Sequence, residues 1–133
     1  MHPHAHAQTH PDRAAYIMAG SGETVTYKQL DERSNQGAHL FRSLGLKPGD
    51  VIAIFMDNSP RYFEIAWAAQ RSGLYYTCIS SKLTASEVEY IVKDCDAKVF
   101  ITSASMGAIA DEMPALIPGL KFYMCGGARG PYE

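Results

Sequence analysis

The run Val51-Ile52-Ala53-Ile54-Phe55-Met56 is the sequence feature that most constrains the fold. It offers no polar face, and the first polar residue after it is Asp57. A strand that is apolar on both faces has to be covered on both faces, as in a parallel sheet between helices. The run is also far shorter than the roughly 20 apolar residues that span a bilayer, so it predicts a buried central strand.

Segments of strand and helix character alternate along the chain around this run. Two Thr-x-x-Gln/Glu capping boxes, beginning at Thr26 and Thr84, mark helix starts, and Ser59 before Pro60 predicts a third start. A shorter helix follows the last capped one until Pro114 interrupts it. The predicted strands cover residues 15–18, 23–27, 51–56, 75–79, 99–102 and 122–125, and the predicted helices cover 26–44, 59–72, 84–95 and 105–112.

This alternation predicts an α/β fold. We expect a mostly parallel sheet with helices on both faces, right-handed crossovers, and an N-terminal β-hairpin at one edge. The length of 133 residues, 47% of them hydrophobic, suits a single α/β subdomain over 1–133. Residues 1–10 are expected to form a flexible tail that contains histidines, and residues 126–133 a linker-like end.

Composition and charge exclude several classes of partner. The net charge of −2, with acidic and basic residues scattered along the chain, predicts no nucleic-acid binding. No segment is long and apolar enough for a transmembrane helix, and the N-terminus has no secretory signal, so we expect a cytoplasmic protein. Cys78, Cys95 and Cys125 lie far apart in apolar runs, which predicts buried thiols rather than disulfides.

Two loops that follow predicted strands are candidates for phosphate binding. Ser80-Ser81-Lys82 precedes a helix N-terminus, where free N–H groups and the helix dipole favour an anion. It lacks the glycines of a phosphate loop, so the favoured interpretation is a polar connector. Gly126-Gly127-Ala128-Arg129-Gly130 is flexible and basic, but no helix follows it in this sequence, so a linker is the favoured interpretation.

Three other groups of residues are candidate sites. His2, His4, His6 and His10 lie on the expected flexible tail without neighbouring acids or cysteines, which disfavours a physiological metal site. Asp57-Asn58-Ser59 follows the central strand, where α/β sheets bind ligands, but helix capping is the favoured role. The aromatic residues Tyr62, Trp67, Tyr75 and Tyr76 are predicted to serve core and subdomain packing rather than a substrate cage.

Four segments, taken in order, carry a resemblance to a known family. They are Val25-Thr26-Tyr27-Lys28-Gln29-Leu30, Leu46-Lys47-Pro48-Gly49-Asp50-Val51-Ile52-Ala53-Ile54, Gln70-Arg71-Ser72-Gly73-Leu74-Tyr75-Tyr76 and Leu83-Thr84-Ala85-Ser86-Glu87-Val88. In order and spacing this series resembles the opening of an AMP-forming acyl-CoA synthetase of the adenylate-forming superfamily. The run at residues 76–81 is closer to fatty- and aryl-acid CoA ligases than to peptide-synthetase adenylation domains.

The resemblance implies a two-step reaction for the full-length family member. Such an enzyme activates a carboxylic acid, fatty or aryl, with Mg-ATP to an acyl-adenylate and then transfers the acyl group to coenzyme A. The phosphate loop, nucleotide contacts, substrate pocket and catalytic lysine of the family match nothing in this sequence. The resemblance therefore assigns no catalytic, cofactor-binding or metal residue here, and the chain alone is expected to bind no cofactor and to be inactive.

The resemblance implies that this chain is the first subdomain of the large domain of an adenylate-forming enzyme. A subdomain taken alone should leave apolar surface uncovered, so we expect self-association. Two alternatives to the synthetase interpretation stay open. One is a stand-alone flavodoxin-like nucleotide-binding module, which the missing glycine loop disfavours. The other is a non-catalytic fragment that serves as a structural or interaction partner.

Overall fold

The structure, a computed structural model, describes residues 2–133 and has an α/β architecture. Its elements are α1 (Pro3–Thr9), β1 (Ala14–Ile17), β2 (Thr24–Thr26), α2 (Tyr27–Ser43), β3 (Val51–Phe55), α3 (Pro60–Arg71), β4 (Tyr75–Ile79), α4 (Ala85–Asp94), β5 (Val99–Ser103), a 3₁₀ turn (Ala104–Met106), α5 (Gly107–Leu116) and β6 (Lys121–Cys125). The predicted combination of a parallel sheet flanked by helices and an N-terminal hairpin is confirmed.

Contacts divide these elements into two compact units. Unit 1 runs to Gly45 and resumes over Ser59–Ser72, so it holds α1, the hairpin, α2 and α3. Unit 2 comprises Leu46–Asn58 and Gly73–Glu133, and it holds β3 to β6 with α4 and α5.

Unit 2 is built on a four-stranded parallel sheet with the strand order β4-β3-β5-β6. The apolar run at 51–56 forms the central strand β3, in which Ile52, Ala53, Ile54 and Phe55 are fully buried, as predicted. Alternate residues of the sheet, such as Ala53, Phe55 and Phe100, share one core cluster with the inward stripes of α4 and α5. This packing fixes the register of the strands because a one-residue slip would turn their apolar side chains to the opposite face.

Pro114 does not end the last helix, which continues to Leu116. A proline inside a helix lacks the N–H that would bond to the carbonyl four residues earlier, here that of Ala110. The Tyr132 hydroxyl donates a hydrogen bond to this carbonyl instead, and both residues are buried. The prediction that the helix ends before Pro114 was wrong because a distant side chain supplies the missing donor.

Residues 126–133 also differ from the predicted linker. Tyr132 belongs to the core cluster of unit 2 and lies edge-on to Phe122, with 5.5 Å between the ring centroids. The Glu133 backbone bonds to β6 on both sides of Tyr123, donating to the Phe122 carbonyl and accepting from the Met124 N–H. The buried tyrosine holds this segment in place, and composition alone did not indicate that.

Unit 1 packs α2 against α3 at a close approach. Gly37 lies where an added Cβ atom would meet the Ala68 Cβ atom at 2.7 Å, so only glycine allows this separation. The capping box of α2 is present, with Thr26 and Gln29 bonded to each other's backbone N–H groups at 3.2 and 3.0 Å. Ser59 makes no capping bond to α3, contrary to the prediction, although Pro60 is its first residue as expected.

Two predictions about the N-terminal region were wrong. β1 and β2 pair antiparallel with each other in a separate two-stranded sheet, not at an edge of the parallel sheet. Residues 3–9 form α1 rather than a flexible tail. Pro3 at the first helical position is buried, and the His2 ring packs edge-on against Trp67 with centroids 5.0 Å apart. These tertiary contacts order a segment whose sequence has no apolar periodicity.

Candidate functional site

The carboxyl ends of β3 and β5 form the topological switch point of the sheet in unit 2. The chain leaves β3 toward β4 on one side, and then crosses to β5 and β6 on the other. In open α/β sheets, ligands bind outside the carboxyl ends of the strands at this type of position. Asp57 follows β3 and Ser103 ends β5, so the structure brings these two residues together at the expected place.

A hydrogen-bonded cluster occupies the switch point. The Ser103 hydroxyl donates to Asp57 Oδ1 at 2.7 Å, and the Ser103 and Ser105 hydroxyl oxygens lie 2.9 Å apart. The hydrogen bond from Ser103 lowers the pKa of the Asp57 carboxyl below its ordinary value, against partial desolvation, with Ser105 and the Asp57 backbone N–H assisting. Asp57 is therefore a fixed anion at neutral pH.

This cluster is suited to accept hydrogen bonds and unsuited to hold a phosphate. An ionised carboxylate offers acceptors only, so it attracts hydroxyl, amino or cationic groups and repels a second anion. It also lacks a base next to a serine, because the groups bonded to Ser103 are a low-pKa carboxylate and another hydroxyl. The geometry supports a role for Asp57 in joining β3 to β5, not in helix capping as predicted.

The Ser80–Lys82 loop follows β4, so it also lies at the carboxyl ends of the strands. Its backbone closes on itself, since the Ser80 carbonyl accepts from Leu83 N–H at 3.2 Å and the Ser80 hydroxyl from Lys82 N–H at 3.3 Å. At the N-terminus of α4, the Glu87 carboxylate accepts from the Thr84 N–H at 2.8 Å, and this bond lowers the Glu87 pKa. A carboxylate thus occupies the place where a phosphate would be held.

The Gly126–Gly130 segment also contacts its own unit. Arg129 Nε donates to Asp111 Oδ1 at 2.8 Å, and its guanidinium lies 3.4 Å from the carbonyl oxygens of Ala104 and Gly107. Gly126 and Gly127 have φ angles of 88° and 124°, a backbone region that favours glycine. The arginine is used to dock this turn onto α5.

The histidines in and beside α1 contact separate partners in unit 1. His4 Nδ1 lies 3.1 Å from Asp31 Oδ2, and Arg71 donates to Asp31 Oδ1 at 2.6 Å. Burial would raise the Asp31 pKa, but the hydrogen bonds from His4 and Arg71 outweigh it and lower the pKa. Within residues 2–133, no three His, Cys, Asp or Glu side chains form a group that could hold a metal ion.

A cavity of about 240 Å³ opens in unit 1 and has mainly aromatic walls. The ring of His6 lies over that of Tyr27 with centroids 4.8 Å apart, and Tyr16 packs against Phe63 at 5.0 Å. The full lining is Pro3, His6, Ala15, Tyr16, Tyr27, Leu30, Phe63 and Trp67. Trp67 is therefore partly a cavity wall rather than interior packing alone.

The sequence interpretation missed a buried ionic cluster in unit 1. Glu64 is 6% exposed and accepts from Arg33 Nη1 at 2.8 Å and from Arg61 Nη1 at 2.9 Å. The three-residue spacing of Arg61 and Glu64 was a signal for one of these pairs. Cys78 was predicted to be buried but is exposed on β4, and Tyr75 and Tyr76 on the same strand are exposed and thus lie outside the core.

Comparisons with known proteins identify a matching family and similar relatives. The family model for AMP-binding enzymes matches residues 3–124. The fatty acid–[acyl-carrier-protein] ligase ScoC of Streptomyces coeruleorubidus is 34% identical over 113 residues, which are 85% of this chain and 21% of that protein. Human long-chain fatty acid transport protein 1 is 32% identical over 124 residues, 93% of this chain and 19% of the relative.

A solved structure shares the fold of most of this chain. The fatty acyl CoA synthetase of Mycobacterium tuberculosis superposes with a TM-score of 0.78 at 28% identity, covering 85% of this chain and 22% of the other. The chain thus spans about one fifth of the length of the curated relatives it matches. No helix within residues 2–133 combines the length and apolar character needed to cross a bilayer.

Proposed function

Because the chain belongs to the AMP-binding enzyme family, we propose that it forms the N-terminal part of an acyl-CoA synthetase. In this proposal, the whole enzyme uses Mg-ATP to convert a fatty or aryl carboxylic acid to an acyl-adenylate and then passes the acyl group to coenzyme A. The observation that carries the proposal is the match of the family model over residues 3–124. A relative that is named as a fatty acid ligase supports it.

The same proposal predicts that the chain alone is inactive. The Asp57 carboxylate stands at the switch point and the Glu87 carboxylate stands at the start of α4, so two anions occupy the places in unit 2 where a nucleotide phosphate could be expected. The chain spans about one fifth of its curated relatives, which supports the placement of the catalytic groups elsewhere in a longer protein.

Further features of the proposal concern organisation and location. We infer that both units belong to one α/β subdomain at the beginning of the enzyme's large domain, and that the enzyme works in the cytoplasm. We also infer that the chain associates with itself through apolar surface that is uncovered when it stands alone.

Carboxylate-dependent exchange of labelled pyrophosphate into ATP tests the first proposal, because it reports acyl-adenylate formation directly. The purified chain should show no exchange with fatty or aryl acids, whereas the longer product of the coding frame continuing past Glu133 should exchange and form acyl-CoA. Exchange by the chain alone would refute its inactivity. A frame that stops at Glu133 would refute the synthetase assignment for this molecule.

Titration with ATP separates the proposal from the flavodoxin-like alternative. A nucleotide-binding module predicts saturable binding of ATP or a flavin to the purified chain at the β3/β5 switch point. Our proposal predicts no saturable binding. The Asp57→Ala variant removes the anion at the switch point, so it is the control that shows whether charge repulsion alone prevents nucleotide binding there.

A further inference from the structure

We propose that β4 pairs edge to edge with β4 of a second copy of this chain, antiparallel, about a two-fold axis at Thr77. This inference identifies the surface for the self-association proposed above. It rests on the backbone and side chains of the sheet and is independent of the ligase assignment.

The free hydrogen-bonding groups of β4 follow from its register. The strand pairs in parallel with β3, with Thr77 opposite Ala53, and the Tyr75 N–H donates to the Asp50 carbonyl on the β3 side. In a parallel pair, the N–H and C=O of one residue point to the same side and alternate along the strand. The N–H and C=O groups of Tyr76 and Cys78 therefore point away from β3, and no described residue bonds to them.

The side chains of β4 add apolar surface to this free edge. Tyr75 is 69% exposed, Tyr76 is 39% exposed, and Cys78 is exposed beside them. The sequence Tyr-Tyr-Thr-Cys-Ile contains no charge and no proline, and its pairing with β3 shows no bulge. Charged residues, prolines and bulges are the devices by which proteins prevent edge strands from pairing with another chain.

The opposite edge of the same sheet is covered by the chain itself. Phe122 and Met124 carry the outward N–H and C=O groups of β6, and two of these groups bond to the Glu133 backbone, the Phe122 carbonyl at 3.0 Å and the Met124 N–H at 2.9 Å. Among residues 2–133, the sheet thus has one edge strand, β6, with two outward groups bonded and one edge strand, β4, with none.

A second copy matches the bare edge by symmetry. A two-fold axis at Thr77, the middle residue of β4, overlaps all five residues of each strand and places Tyr76 of each copy opposite Cys78 of the other. Each of these pairs exchanges two backbone hydrogen bonds, so the interface is self-complementary. An uncharged strand brings no like charges together across the axis, whereas a charged edge would repel its own copy.

A matched pair of tyrosine variants tests the surface. Sedimentation should show a concentration-dependent monomer–dimer equilibrium for the wild-type chain. The Tyr75→Lys variant should raise the dimer dissociation constant roughly tenfold or more. Tyr90→Lys is the control, because Tyr90 lies on α4 and is 70% exposed, so it matches Tyr75 in exposure. The proposal fails if the wild type is monomeric at roughly 100 μM, or if both lysine variants dimerise as the wild type does.

A disulfide tests the register. About a two-fold axis at Thr77, the two Thr77 residues form a non-hydrogen-bonded pair with Cα atoms about 4.5 Å apart, within the range of a disulfide. In a Cys78→Ser background, Thr77→Cys should give a covalent dimer under mild oxidation, while the same background with Thr77 intact should not. Dimers that resist this cross-link would overturn the proposed pairing, and dimers that persist in Tyr75→Lys would assign self-association to another surface.

Discussion

The two edges of the parallel sheet have similar strands and different surroundings. β4 reads Tyr-Tyr-Thr-Cys-Ile and β6 reads Lys-Phe-Tyr-Met-Cys, so each is a five-residue strand rich in aromatic residues. Phe122 and Met124 of β6 are buried, while Tyr75 and Tyr76 of β4 are exposed. The difference arises outside the strands, because the segment that ends in Tyr132 and Glu133 returns along β6 and no described segment returns along β4.

This comparison shows how strongly one side chain can fix a terminal segment. Tyr132 fills space beside Phe122, donates to the carbonyl that Pro114 leaves without a donor, and positions the next residue to pair with β6. Burial raises the Tyr132 pKa, so the hydroxyl remains a donor throughout the ordinary pH range. Whether an edge strand is covered thus depends here on a residue that lies well outside that strand.

Tyr132→Ala should cause the largest loss. It removes a buried aromatic ring, leaves a cavity beside Phe122 and leaves the buried Ala110 carbonyl without a donor, so we expect roughly 3–5 kcal/mol lower free energy of unfolding. Urea unfolding followed by circular dichroism measures this change. Hydrogen exchange should also speed up at the Met124 amide, which Glu133 covers. A loss below roughly 1 kcal/mol would show that the segment does not cover the β6 edge.

Tyr132→Phe isolates the hydrogen bond from the packing of the ring. The buried Ala110 carbonyl loses its donor, which should cost roughly 1–3 kcal/mol. In a Pro114→Ala background the residue at 114 regains an N–H four residues after Ala110, so the same change should cost only roughly a few tenths of a kcal/mol. Equal costs in the two backgrounds, measured by urea unfolding, would contradict the substitution of a side-chain donor for the helix bond.

The regular parts of the fold were predictable because local residues determine them. The apolar run at 51–56 predicted the central strand, and the Thr26 capping box predicted the start of α2. Each of these features depends on residues within a few positions of one another, or on a periodic pattern that burial has to follow.

The remaining features depend on contacts between residues distant in sequence. The continuation of α5 past Pro114 requires Tyr132, and the order of α1 requires partners such as Asp31 and Trp67. At the candidate site, the position of Asp57 after a central strand was predictable, but its bond to Ser103 required the strand order. The exposure of Tyr75 follows from the position of β4 at an edge, which its composition does not indicate.

Asp57→Asn tests the middle of the sheet, between the two edges. The Ser103 hydroxyl loses a charged acceptor, which should cost roughly 1 kcal/mol near neutral pH. The fold lowers the Asp57 pKa, so this contribution is present above the ordinary value of 3.8 and is lost as the pH falls through the lower folded value. Urea midpoints of wild type and variant should therefore converge in acid, and exposed Asp94→Asn gives the control. A gap that widens as the pH falls would contradict this assignment.

Tyr75→Ala makes at β4 the same truncation that Tyr132→Ala makes at β6, and it should have the smallest effect. Tyr75 is largely exposed, so in dilute solution we expect a change within roughly 0.5 kcal/mol. At high concentration the effect should grow, because a dimer stabilises the folded chain by mass action and the variant weakens that dimer. Melting temperatures measured over a concentration series should rise for the wild type and stay nearly constant for Tyr75→Ala. If the variant costs as much in dilute solution as Tyr132→Ala does, then β4 is covered within the chain and the contrast between the two edges is wrong.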